Sequence, residues 1–248
     1  MSAGPTGSPE GCWAASLGNC GGAISREHLV SECLFADQSV FVQGLDWCVE
    51  SPKSVRIETL TGKVLCEAHN NALSRLDAEA GAAFNAIRSM VKLNEDRGKF
   101  PSVNWAHKQF VVDGPGLERW FLKTLINFSF KRQLIIGPGD HPAGAAPENL
   151  VRMAFGFEQF RDGSGLYTAF RPQETFVLED RFGFTAKARG PNLLLGCFVF
   201  RGLRFYLNLL PQKFEKIEDS NVFYRQTSFA QLINGRESHR VTLSWPSE

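Results

Sequence analysis

The chain has 248 residues, 43% of them hydrophobic and 21% charged, and a formal net charge of +1. This is globular composition, and the balanced charge provides no general attraction to nucleic acid. The N-terminus has neither a basic start nor an apolar core, so no signal peptide is expected; six cysteines in a cytoplasmic protein are then thiols or metal ligands rather than disulfides.

Residues 1–11, MSAGPTGSPEG, read as a disordered lead-in. Residues 12–66 are short segments broken by glycine, proline and serine, in which SVFVQGLDW and SVRIETLTGKVL read as strands. At Glu67 the period changes. Ala72, Leu73, Leu76, Ala80, Phe84, Ile87 and Val91 recur at three- and four-residue steps, which predicts an amphipathic helix over 67–93 that NEDRGKFPS ends. VNWAHKQFVVDG reads as a strand. GPGLERWFLKTLINFSFKR is a second helix, with Leu117, Trp120, Phe121, Leu125 and Phe128 on one side. After the loop GPGDHPAGAAP, PENLVRMAFGFEQF reads as a third helix with Pro147 suited to its first turn. Beyond Phe160 the chain turns β-rich, with GLYTAFR, ETFVLED, FGFTAKA, NLLLGCFVF, LRFYLNLL and HRVTLSW as strands. NLLLGCFVF, the longest apolar run, is far short of the roughly 20 residues that span a bilayer. The pattern implies an α+β fold, with a boundary near residue 97 between an N-terminal module (12–97) and helices followed by an antiparallel β-rich domain (98–248).

The chemistry concentrates near the N-terminus. Cys66 and His69 form a C-x-x-H knuckle at the start of the first helix, a spacing that lets both side chains reach one ion. Cys12 and Cys20 are the upstream candidates for a structural zinc, although their separation is wider than usual, and Cys48 is an alternative ligand. The same cysteines also read as small buried thiols. Asn70, Ser74 and Asp77 fall at i, i+4 and i+7, on one helical face apart from the apolar set; a solvated face, or an asparagine bracing the turn, would give the same pattern.

Taken together, SREHLV (25–30) and LCEAHNNALSRLD (65–77) resemble the HNH, or ββα-metal, endonuclease family, in its zinc-knuckle subgroup, over about residues 12–80. In that subgroup an acid–histidine pair precedes a hydrophobic strand, and a second knuckle leads into a helix through C-x-x-C-N. Here His69 stands at the last cysteine, Asn70 at the residue after the knuckle, and Asp77 at the later acidic position.

The resemblance implies an N-terminal ββα-metal module and metal-dependent hydrolysis of phosphodiester bonds. His28 would be the general base. Glu27 and Asn70 would hold a catalytic Mg²⁺ or Mn²⁺, and Asp77 would complete the site. The zinc on Cys12, Cys20, Cys66 and His69 would be purely structural. The implied substrate is double-stranded DNA, with a regulatory protein or ligand acting through residues 98–248. The sequence departs from the family at its middle asparagine, where ETLTGKVLC offers Thr59 and Thr61. A catalytically inactive, zinc-stabilised interaction protein is the alternative. His107 falls in the expected strand, His141 beside Asp140 lacks a neighbouring helix or third ligand, and His239 reads as surface or sheet. The Phe/Arg alternation around Phe182, Phe200 and Phe205 reads as a half-buried sheet rather than a nucleic-acid surface.

Overall fold

In a computed structural model the described residues are 11–35, 39–43, 47–170, 181–189, 192–214, 216–217, 220–233 and 235–246. The greater part of the expected lead-in and the expected strand ETFVLED lie outside them. Strands β1 (Ile24–His28), β2 (Ser39–Gln43), β3 (Lys53–Arg56) and β4 (Thr61–Cys66) precede the long helix α1 (Glu67–Lys99). Next come β5 (Gln109–Asp113), α2 (Gly114–Lys131), the two-residue β6 (Ile135–Ile136) and the short α3 (Glu148–Ala154). The remainder is β7 (Gly165–Phe170), β8 (Arg181–Arg189), β9 (Asn192–Phe200), β10 (Leu203–Asn208), β11 (Lys216–Ile217), β12 (Ser220–Tyr224), β13 (Ser228–Phe229), β14 (Leu232–Ile233), β15 (Arg236–Glu237) and β16 (Arg240–Ser244).

The class is α+β with mixed sheets. β1 and β4 form a two-stranded antiparallel pair. A nine-stranded sheet runs β11-β12-β7-β10-β9-β8-β2-β3, with β6 beside β9. Most of its pairs are antiparallel, but β2–β8 and β6–β9 are parallel. A third sheet, β13-β16-β5, contains the parallel pair β16–β5. The β2–β3 hairpin thus extends a sheet built mainly from C-terminal strands. One buried cluster runs from Cys12 through Phe84 and Trp120 to Leu243, across both stretches distinguished in the sequence.

The expected strand VNWAHKQFVVDG is confined to Gln109–Asp113, and three further elements differ in extent. The first helix continues to Lys99, past the segment expected to end it. The i,i+4 pairs Lys92–Asp96 and Glu95–Lys99 support its last turns, and Pro101 lies beyond its end. SVRIETLTGKVL is two strands in two sheets, parted by a 3₁₀ turn at Ile57–Thr59. There the Thr59 hydroxyl donates to the Arg56 carbonyl at 2.7 Å and Thr61 to Glu58 at 3.1 Å. Such local bonds compete with a strand ladder, while Ile57 and Leu60 turn into the core. The third helix stops at Ala154, where the Phe155 and Gly156 amides close the last turn onto Val151 and Met153 and Gly156 takes a positive φ of 79°.

Helix α2 lies at the centre. Leu117, Trp120, Phe121, Leu122, Leu125, Ile126 and Phe128 are all buried, so apolar side chains leave it in every direction, as expected of a helix enclosed by protein. Phe84 of α1 joins it to the large sheet, with ring centroids 5.6 Å from Trp120 and 4.2 Å from Phe200. Phe182, Phe198 and Phe205 are buried as well. No helix among the described residues is long and apolar enough to cross a membrane.

Candidate metal centre

Strand β4 passes into α1 without a loop. Cys66 is the residue before the first helical turn, so the knuckle places Cys66 and His69 one turn apart, both buried. The free amides at the helix start are bound by the preceding loop: Glu67 N donates to Ala23 O at 3.0 Å and Ala68 N to Gly21 O at 3.1 Å. These bonds hold Cys20 against the knuckle. Gly22, with φ +74°, approaches the helix so closely that a Cβ would lie 2.2 Å from Glu67 Oε2. Trp13 N bonds to Val64 O at 3.0 Å and draws Cys12 alongside β4. The long Cys12–Cys20 spacing is taken up by a 3₁₀ turn at Ala15–Leu17, ended by Gly18 at φ 72°.

The ligand atoms of Cys12, Cys20, Cys66 and His69 all lie within 4.8 Å of one another, a group that could hold a metal ion. His69 Nδ1 is 3.3 Å from Cys12 Sγ, 3.3 Å from Cys66 Sγ and 3.6 Å from Cys20 Sγ. Zinc bonds of about 2.3 Å to sulfur and 2.0 Å to nitrogen give a tetrahedral N···S edge of roughly 3.5 Å, so the donor set and its spacing fit that ion. Cys48 is buried outside the group. The Phe155 ring stands edge-on to His69 at 5.4 Å.

Electrostatics separates the three thiols. Burial works to raise Cys66, but hydrogen bonds from the His69 and Gly21 backbone and from the Cys12 and Cys20 thiols outweigh it, and its pKa is lowered. Burial, and then the charge on Cys12, push Cys20 up to about 12. Burial likewise raises Cys12, and it lowers His69, keeping that imidazole neutral. Gathering several thiolates here therefore calls for a cation among them, and binding one releases protons.

The acid–histidine pair ends β1 rather than preceding a strand. Strand alternation sends its two side chains to opposite faces. Glu27 points inward, where its Oε1 meets Lys123 Nζ at 2.6 Å with the carboxylate side chain 9% exposed. The same ammonium lies 2.9 and 2.8 Å from the two carboxylate oxygens of Asp77. Ser31 donates to Asp77 and accepts from Trp120 Nε1 at 2.8 Å. The fold thus unites Glu27 and Asp77, and between them stands an ammonium, on the carboxylate that the resemblance gives to a divalent ion. The Glu27 carboxylate does not fit the ligand role while Lys123 holds it.

His28 turns outward, its side chain 31% exposed and its Nε2 3.8 Å from Glu32 Oε2. Its register partner is Thr61. The Thr61 hydroxyl accepts from Arg26 Nε at 2.8 Å and, like that of Thr59, donates to a nearby backbone carbonyl; neither bonds to His28. Asn70 is half-buried in the first turn of α1, and among the described residues its side chain has no hydrogen-bond partner. Ser74 is exposed and bonded to Asn71 O.

Among the other histidines, His107 sits in the loop before β5, and His141 caps its own exposed loop on Pro138 O at 2.8 Å. His239, expected at the surface or in the sheet, is buried just before β16. Its Nδ1 accepts the Lys108 amide at 3.1 Å. Burial, then the charges of Lys108, His107 and Arg97, lower its pKa.

No signal in the first third of the chain announced Lys123. The only hint was local: Lys123 interrupts the apolar stretch WFLKTLI, with Glu118 and Arg119 just before it, and a charge within an all-round apolar helix is buried with a partner. Glu118 has its own, Arg225 Nη2 at 3.1 Å. No family model matches the chain, and no curated protein sequence or solved structure matches it.

Proposed function

We propose that the chain is a zinc-stapled, HNH-like endonuclease that hydrolyses phosphodiester bonds of DNA, with His28 as general base. One observation carries this reading. An antiparallel strand pair runs directly into a long helix through Cys66-x-x-His69, Cys12 and Cys20 gather on the same turn, and a half-exposed histidine ends the first strand. Histidine is suited to take a proton from an attacking water near neutral pH. A bound Mg²⁺ or Mn²⁺ supplies charge neutralisation at a scissile phosphate. Of the two residues expected to hold it, Glu27 is engaged by Lys123, which leaves Asn70, whose side chain has no hydrogen-bond partner among the described residues. Zinc on the Cys₃His group would hold the strand–helix junction that presents His28, with residues 98–248 as the recognition or partner part.

The test is nicking of plasmid DNA by zinc-loaded protein with Mg²⁺ or Mn²⁺. His28→Ala should abolish cleavage without lowering the melting temperature; cleavage that persists unchanged in that variant refutes the role given to His28. A second reading, a catalytically inactive zinc-stabilised interaction protein, is favoured by the Lys123 ammonium between Glu27 and Asp77. It predicts no divalent-dependent cleavage of any nucleic acid.

A further inference from the structure

We infer that Lys123 is the resident cation of the Glu27–Asp77 pair. With its own side chain the chain engages the Glu27 carboxylate that the resemblance gives to a divalent ion, and this acid pair takes up no such ion in the working protein. The inference is independent of whether the chain cleaves DNA.

Three observations carry it. The Lys123 side chain, from the central helix α2, is 2% exposed, so solvent does not compete for its charge. Its Nζ reaches three carboxylate oxygens, Glu27 Oε1 at 2.6 Å and Asp77 Oδ1 and Oδ2 at 2.9 and 2.8 Å, which matches the three donors of an ammonium. The acceptors are themselves fixed: Asp77 receives the Ser31 hydroxyl, and the Trp120 indole holds that serine. Mg²⁺ requires near-octahedral oxygens at about 2.0–2.1 Å and retains several waters. Here the Glu27 side chain is 9% and that of Asp77 26% exposed, and the ammonium already takes three of their oxygens, so no such shell is free.

Two carboxylates against one ammonium still leave an excess negative charge. Removing the ammonium would leave a pair of carboxylates suited to a dication. The test is Mn²⁺ binding to zinc-loaded protein, followed by electron paramagnetic resonance and by melting temperature. Wild type should show no Mn²⁺ site that depends on Glu27. Lys123→Ala should bind one equivalent and melt several degrees higher with Mn²⁺ than without it, and adding Glu27→Gln should remove both effects. Wild-type Mn²⁺ binding that Glu27→Gln abolishes, or a folded Lys123→Ala that ignores Mn²⁺, overturns the inference.

A second measurement needs no variant that disrupts the pair. In ¹⁵N-labelled wild type the Lys123 ammonium should give a slowly exchanging signal, assigned by its absence in Lys123→Arg. That signal should survive addition of Mg²⁺, and its disappearance on Mg²⁺ addition would show the ammonium displaced.

Discussion

Two clusters tie the β1–β4 pair to its surroundings, and they meet opposite electrostatic needs. At one end of β4, Cys12, Cys20, Cys66 and His69 converge with no positive charge among them. At the other end of β1, Glu27 and Asp77 converge on Lys123. The first group joins an N-terminal segment to a strand–helix turn, and any cation it holds must come from outside. The second draws its cation from α2, deep in the core. A site whose charge comes from the chain is set once the fold forms, whereas a site that lacks one depends on what the solution supplies.

The sharpest break in this comparison comes from removing one ligand of the first cluster. Cys66→Ser should lose the metal and lower the melting temperature by about 20 °C or more, because structural metal binding is folding free energy; a scanning calorimetry trace unchanged by the substitution would contradict this. Next in size is Lys123→Met, which leaves two carboxylates around an apolar side chain. Breaking a buried ion pair costs about 3–5 kcal/mol, hence on the order of 10 °C in a domain of this size. The double variant with Glu27→Gln should regain part of that loss. His28→Ala separates function from fold: cleavage should fall at least about 100-fold, with a melting temperature within about 2 °C of wild type.

The smallest effect concerns neither cluster and serves as a control. Burial lowers the pKa of His239, so as the pH falls the unfolded chain takes up that proton first. The stabilisation is complete above about pH 6.5, the unperturbed value, and is lost as the pH drops through the folded-state pKa. His239→Gln should flatten the acid limb of the stability profile slightly; a steeper limb would refute the assignment.

The sequence made the start of α1 and the knuckle legible, because both are local: a three-and-four-residue apolar period and a two-residue gap between ligands. The convergence of Cys12 and Cys20 on them was readable as a candidate from residue type alone. The far end of α1 was not, because the charged segment after Leu93 looks like a loop until Lys92–Asp96 and Glu95–Lys99 pair along a helix face. The role of Glu27 was hidden for a different reason. Its neighbour His28 suggested a shared task, but strand alternation separates the two, and the inward partner lies on a helix distant in the sequence. Lys123 betrays itself only as a charge in an apolar run, which says that it is buried and not with whom.

The contrast between the two clusters meets its most direct test in the metal content of the purified chain after exposure to Zn²⁺, Mg²⁺ and Mn²⁺ together, measured by elemental analysis and native mass spectrometry. The account predicts one zinc per chain, lost in Cys66→Ser, and no second ion that depends on Glu27. A fully folded chain without zinc, or a retained Mg²⁺ or Mn²⁺ that disappears in Glu27→Gln, would contradict it.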